Sequence, residues 1–250
     1  MPVLITGATG LVGRALAARL VDEGAQVRAY IRRDDPALRA LGVHIAVGSI
    51  DDIERLEAAL TRVHTIVHLI GGILPERGVS YDFLNRDTTE SAVIAARAAG
   101  VRRFVFLSFP GADPASDNEF LAAKGKAEEH VLAGGLEHAI VRSAPIVEGL
   151  YVLFDRLTRG AVVSVPGRGA QRFNPVALEE VIDALVAGDA REAEVREIRT
   201  VAGADVLTMN DAAERFAPGR RPVHLRALSG VPKALATLYG RDLIVEPTPV

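Results

Sequence analysis

The chain contains no cysteine and no tryptophan. Without a thiol it cannot form disulfides, thiolate metal sites, iron–sulfur clusters or a cysteine nucleophile. Aromatic residues make up only 5% of its 250 residues, too few for a platform that stacks single-stranded nucleic acid. Positive charge is not in excess either: 29 Lys and Arg stand against 32 Asp and Glu, which argues against binding a phosphate backbone. Long apolar runs are missing. The most apolar stretch, 65–74, spans half of the ~20 residues a membrane helix needs and carries His68 and two glycines. With no charged leader before Val3, the expected location is the cytoplasm.

What is present is alternation. Apolar runs at 3–6, 27–31, 44–47, 65–70, 104–107 and from 139 are separated by segments with helical spacing, such as Leu11, Val12, Ala15, Leu16, Leu20 and Val21. Gly100 stops the long helical pattern over 81–99. Near-continuous apolar strands alternating with helices predict an α/β fold, a Rossmann-type doubly wound parallel sheet covered on both faces. After Gly149 the rhythm loosens. An extended segment at 162–165, helices at 177–187 and 210–216 and a strand at 197–201 remain. Recurrent prolines (Pro218, Pro222, Pro232, Pro247, Pro249) disfavour long regular elements toward the carboxyl end. The reading is one unit, with a core over 1–149 and a smaller lobe over 150–250 packed on it.

The most informative stretch is Thr6-Gly7-Ala8-Thr9-Gly10-Leu11-Val12-Gly13, three glycines between the first strand and first helix. The first permits a tight turn, the second admits a pyrophosphate against the backbone, and the third lets the helix pack on the sheet. Open N–H groups of Thr9, Gly10, Leu11, Val12 and Gly13 and the helix dipole then meet the negative charge. A dinucleotide site for NAD has an acid about 20 residues further on, for the ribose 2′-hydroxyl. Here Arg32 stands 19 positions past Gly13 and Arg33 comes next, which favours the 2′-phosphate of NADP(H) over NAD(H).

These motifs resemble the short-chain dehydrogenase/reductase superfamily in its extended and atypical branches, most of all the NmrA-like proteins and the relatives of the complex I accessory subunit. The supporting residues are Asn85, Val105-Phe106-Leu107-Ser108, Lys124 with Glu128, and Arg142-Ser143-Ala144-Pro145. The resemblance implies that Ser49 and Ile50 meet the adenine, although relatives often have Asp where Ser49 stands. It places the cofactor ribose against Ile70, Gly71 and Gly72, and the nicotinamide beside Pro145, Ile146 and Val147. Typical members pair a tyrosine with a lysine four residues on, so that both share one helix face. The lysine lowers the tyrosine pKa and holds the ribose, and the tyrosine exchanges a proton with the substrate oxygen. By position, Ser108 matches the strand-five hydroxyl and Lys124 the lysine, but Phe120 occupies the tyrosine position.

The residues are compatible with two functions. One is an NADP(H)-binding oxidoreductase that transfers hydride to a small apolar carbonyl, quinone or enone without the usual tyrosine. The other is a non-catalytic NAD(P)(H) sensor or assembly protein that meets its partner through the last third. Tyr81 and Tyr151 are the tyrosines the fold could bring near the pocket, and Phe109, Phe120, Tyr151, Phe154 and Phe173 are candidate pocket walls. His64 and His68 lack a third metal ligand at a telling distance. The acid pairs Asp51–Asp52, Glu128–Glu129 and Glu179–Glu180 read as solvated faces, and Leu107-Ser108-Phe109-Pro110-Gly111 is not a hydrolase elbow.

Overall fold

The computed structural model describes residues 2–76, 78–190, 195–225 and 233–248. They form two compact units, the first from the described residues within 1–142 and 181–199, the second from those within 143–180 and 200–250.

The first unit has the alternation read from the sequence. Its elements are β1 (Val3–Thr6), α1 (Leu11–Asp22), β2 (Val27–Ile31), α2 (Pro36–Ala40), β3 (His44–Val47), α3 (Ile53–Ala59), β4 (Thr65–His68), α4 (Thr88–Ala98), β5 (Arg103–Ser108), α5 (Glu119–Ala133) and β6 (Glu137–Ser143). A π-helical turn, Asp82–Asp87, leads directly into α4 where the spacing predicted one continuous helix. A strand from late in the chain, β10 (Arg196–Val201), joins the same sheet, and His138 N–H donates to Val195 O at 2.8 Å beside it. Among the described residues this sheet has seven strands, in the order β10-β6-β5-β4-β1-β2-β3. The pairings from β3 across to β6 are all parallel. The predicted Rossmann-type sheet is therefore present, and its order reverses between β1 and β4, where such sheets bind ligands at the carboxyl ends of their strands.

Period-2 alternation puts Leu4, Ile66, Phe104, Phe106 and Ile140 on one sheet face. They are sealed by Leu56 and Leu60 from the α3 region, Ala92, Ala95 and Ala96 from α4, and Ala127 and Val131 from α5. The small residues of α4 and α5 let these helices approach the bulky strand side chains closely. Capping is explicit: the side chains of Asp35, Asp52 and Asn118 accept the first backbone N–H groups of α2, α3 and α5. The amino end of α1 is different, because its cap is Gly10 and no side chain satisfies it.

The second unit contains α6 (Val147–Leu157), β7 (Thr158–Arg159), β8 (Val162–Pro166), β9 (Arg172–Phe173), the start of α7 (Leu178–Ala190), β11 (Leu207–Thr208), α8 (Met209–Phe216), β12 (Arg221–Leu225) and α9 (Lys233–Leu238). Its strands are short, as the prolines imply. Pro222 lies in β12, an edge strand of a three-stranded sheet, where a missing N–H is tolerated. Phe154 and Phe216 pack with ring centroids 5.9 Å apart. Pro232 and Pro249 fall outside the described residues. Among the described residues no helix is long and apolar enough to cross a membrane.

Candidate functional site

The three glycines are not equivalent in what they accommodate. Gly7 has φ +72°, and a Cβ there would lie 2.8 Å from Leu69 C and 2.9 Å from Ile70 N. At Gly13 a Cβ would collide with the Gly7 carbonyl and the Ala8 backbone. The fold itself thus requires both. Gly10 has an ordinary φ of −77°, and a Cβ would meet only the Gly7 carbonyl, at 3.3 Å. Thr9, Gly10 and Leu11 are exposed, while Val12 and Gly13 are buried under the turn. An exposed glycine that packing does not demand, at an uncapped helix start, is a cradle a diphosphate fits.

Beyond β2, Arg32 and Arg33 are both exposed. The Arg32 guanidinium stands 4.0 Å from Glu76 and is 79% exposed. Sequence reasoning missed a third arginine. Arg14, one residue past Gly13, donates to Thr9 O at 3.2 Å and to the Asp35 carboxylate at 2.6 Å. After β3, Tyr30 Oη donates to Ser49 O at 2.9 Å, and a Cβ on Gly48 would strike the Tyr30 ring. Ser49 is exposed and Ile50 half-buried, and Ser49 hydrogen-bonds the Asp51 carboxylate, which holds its pKa below the usual carboxylate range.

The turn after β4 is held from beneath. Asn85, buried in the π-helical turn, accepts from Gly72 N–H at 3.0 Å and donates to Gly72 O at 3.3 Å and to Tyr81 O at 3.1 Å. Gly71 has φ +148°, and a Cβ there would come within 2.8 Å of Asn85 Oδ1 and 2.9 Å of Lys124 Nζ. Gly71 is thus kept free of a side chain by the Asn85 amide and the Lys124 ammonium. Lys124 is buried, donates to Leu107 O at 2.8 Å and sits 4.7 Å from the centroid of the Phe106 ring. Burial lowers its pKa to about 8, against an opposing effect of the Glu128 charge.

Phe120 lies one turn before Lys124 and is also buried. Its ring packs edge-on against Phe109 at 5.2 Å and Tyr81 at 6.0 Å. The Tyr81 hydroxyl is committed to Ile73 O at 2.9 Å, and burial pushes its pKa up to about 12, so it is a poor acid. Pro145 (buried) with Ile146 and Val147 (half-buried) belong to the second unit, where Val147 N–H donates to Val176 O and Val176 N–H to Pro145 O. Tyr151, Phe154 and Phe173 also lie there; Tyr151 is exposed and packs on Phe216 at 4.9 Å.

One expectation is overturned outright. Glu128 is not on a solvated face but buried, 4% exposed. Ser108 Oγ donates to its Oε1 at 2.5 Å, and Arg142 grips both oxygens at 2.9 and 2.5 Å. The Ser108 proton is therefore spoken for. His68 is fully buried, with Nδ1 2.8 Å from Thr6 Oγ1 and no partner for Nε2. Burial, reinforced by the nearby Lys124 charge, lowers its pKa to about 3, so the ring is neutral. His64 meets Thr65 instead, at 2.8 Å. Among the described residues no three side chains cluster as metal ligands.

A family model described as NAD(P)H-binding matches residues 7–151, which span the glycine turn, Asn85 and Lys124. The chain belongs to this NAD(P)H-binding family. It is 26% identical, over 98% of its length and 64% of the relative's, to NADH dehydrogenase [ubiquinone] 1 alpha subcomplex subunit 9, mitochondrial, of Arabidopsis thaliana. It is 32% identical to the ceramide reductase of Caulobacter vibrioides, over 58% of this chain and 46% of that one. It thus spans less than two thirds of either relative. Among solved structures, MoeE5 in complex with UDP-glucuronic acid and NAD superposes with a TM-score of 0.76 at 21% identity, covering 98% of this chain and 95% of that chain. The resemblance to extended and atypical short-chain dehydrogenase/reductases and to the complex I subunit holds.

Proposed function

We propose that this protein is an NADP(H)-dependent oxidoreductase that reduces a small apolar quinone, enone or carbonyl. The observation that carries the reading is the buried Lys124 ammonium behind Gly71 with Phe120 in the tyrosine place. A bound nicotinamide dinucleotide supplies hydride. Gly7, Gly10 and Gly13, with the N–H groups of the α1 start, hold the pyrophosphate. Arg32 and Arg33 receive the 2′-phosphate, and Lys124 meets the ribose hydroxyls. Ser49 and Ile50 flank the adenine, Ile70 and Gly72 back the ribose, and Pro145, Ile146 and Val147 border the nicotinamide.

The proton inventory narrows the substrate. Phe120 has no proton to give, the Ser108 hydroxyl is hydrogen-bonded to Glu128, and Tyr81 is committed to Ile73. Lys124 is the remaining donor. A quinone suits such a site, because its reduced oxygen takes a proton from water without a protein acid. Similarity to a protein named ceramide reductase supports a reductase reading. The test is NADPH oxidation with a panel of quinones, enones and carbonyls. Turnover on at least one is expected, and tight NADPH binding with no turnover on any refutes the enzyme.

A second reading is a dinucleotide sensor or assembly protein without turnover, acting through the last third of the chain. The phenylalanine and the similarity to a complex I subunit favour it. Phe120→Tyr separates the two: activity that appears only in this variant marks the natural chain as a binder.

A further inference from the structure

The central sheet has a second concave feature, at the end opposite the glycine turn. Val27 and His44 open β2 and β3, which run parallel to β1, and beside these amino ends lies a cavity of about 500 Å³. Arg28, His44 and Arg62 line it together with Gln26 and Ile45, and no Asp or Glu does. A volume of this order suits a small organic ligand. In a chain of formal net charge −3, two arginines and a histidine around one cavity are a local reversal of sign.

Folding alone does not favour these residues where they stand. Arg28 is the one charge in β2, and it is the register partner of Leu4 on one side and of His44 on the other, so it shares the apolar face of the sheet. Its Nη1 donates to Ala59 O and, at 3.4 Å, to Thr61 O, which ties it to the end of α3. Nε and Nη2 have no partner among the described residues, so one two-donor edge of the fork is left over. Arg62 is the only non-glycine among the described residues with a left-handed backbone, at φ +61°. Such a backbone suits glycine, and strain held at one point is a mark of function when a site lies beside it. We propose that this cavity binds a small phosphate monoester, apart from the dinucleotide turn. The free edge of Arg28 takes two phosphate oxygens and Arg62 a third, while Gln26 and Ile45 border the space left for the rest of the molecule. A monocarboxylate has two oxygens and satisfies one fork only, so two guanidinium groups from different elements favour the phosphate.

The test is calorimetric titration of the full chain at low salt with ribose 5-phosphate, glycerol 3-phosphate, inorganic phosphate and succinate, with and without saturating NADPH, in wild type, Arg62→Gly and Arg28→Met. One equivalent of at least one ester is expected to bind wild type whether or not NADPH is present, with inorganic phosphate and succinate weaker. Glycine accepts the left-handed backbone, so Arg62→Gly should melt no earlier than wild type while its affinity for the ester falls about tenfold or more, the loss of one charge-assisted contact. Arg28→Met should abolish binding; because it also strips the α3 carbonyls of their donor, Arg62→Gly decides if that variant melts early. No binding of either ester to wild type below about 10 mM overturns the proposal, as does an affinity that Arg62→Gly leaves within a factor of about two. An ester displaced by NADPH belongs to the dinucleotide turn, and the proposal then fails. Equal affinity for the ester and for inorganic phosphate or succinate overturns it too, since the cavity walls then select nothing.

Discussion

Ser108 and Arg142, register partners on β5 and β6, converge on a single carboxylate, that of Glu128 on α5. One helix residue thereby ties two adjacent strands at their carboxyl ends, one turn from Lys124. Removing one member of a buried ion pair strands the other, so Glu128→Ala should cost about 2–4 kcal/mol, discounted because the Arg142 head is partly solvated. Glu128→Gln keeps an acceptor for Ser108 and should cost less. Ser108→Ala removes one charge-assisted hydrogen bond, about 1.5–3 kcal/mol. Urea denaturation of the three variants ranks them, and equal losses for Gln and Ala would show that charge, not hydrogen bonding, holds the cluster.

The glycine turn yields a contrast between neighbours. Gly13→Ala forces a methyl into the Gly7 carbonyl and the Ala8 backbone, so the variant should melt well below wild type. Gly10→Ala has an allowed φ and a single contact that must yield slightly, so it should cost no more than about 1 kcal/mol in stability. If the diphosphate binds here as proposed, the dinucleotide affinity should nonetheless fall at least tenfold, because the added methyl narrows the cradle. Thermal melts paired with NADPH titration check both halves. A Gly10→Ala protein that binds normally would remove the diphosphate from this turn.

Much of this was legible in the residues. Strands covered on both faces are continuous apolar runs, so β1, β2, β4 and β5 stand out. The Phe120–Lys124 spacing lies within one helix and is legible locally. What stayed hidden depends on partners far off in sequence. Glu128 looks like one of a solvated pair until the sheet register brings Ser108, 20 positions away, and Arg142, 14 away, onto it. Asp35 caps α2, but nothing local says that Arg14 meets it 21 positions away. The π-helical turn at 82–87 has the composition of an ordinary helix. Its extra residue shows only in the way Asn85 is aimed at Gly72.

The Lys124 ammonium leaves an alkaline signature. Its pKa falls from 10.5 unfolded to about 8 folded, so between those values the unfolded chain binds more protons and stability rises with pH. The penalty for burying the charge is present in full below pH 8 and gone above pH 10.5. Lys124→Met should remove this rise, so the difference in unfolding free energy between wild type and variant should change by about 1.4 kcal/mol per pH unit across the window. If Lys124 meets the ribose as proposed, dinucleotide affinity should move oppositely in wild type, weakening above pH 8 as the cation is lost. Titrations at pH 7 and 9.5 read this directly, and a flat profile would separate Lys124 from cofactor binding.

His68 leaves the corresponding signature in acid. Burial, with the Lys124 charge nearby, takes its pKa from 6.5 to about 3. As pH falls through this window the unfolded chain gains a proton that the folded chain refuses, so stability is lost on acidification. His68→Phe fits among Phe104 and Phe106, whose rings lie 5.9 and 6.0 Å from the histidine, and carries no proton. It leaves the Thr6 hydroxyl without its ring partner, which costs about 1–3 kcal/mol at neutral pH. The variant should therefore start less stable at pH 7 and lose stability more slowly, by about 1.4 kcal/mol per pH unit between pH 6 and 4. The two denaturation curves then converge or cross in mild acid. Parallel curves across that range would mean that the ring takes up its proton in the folded protein, and that the unpartnered Nε2 is reached by water.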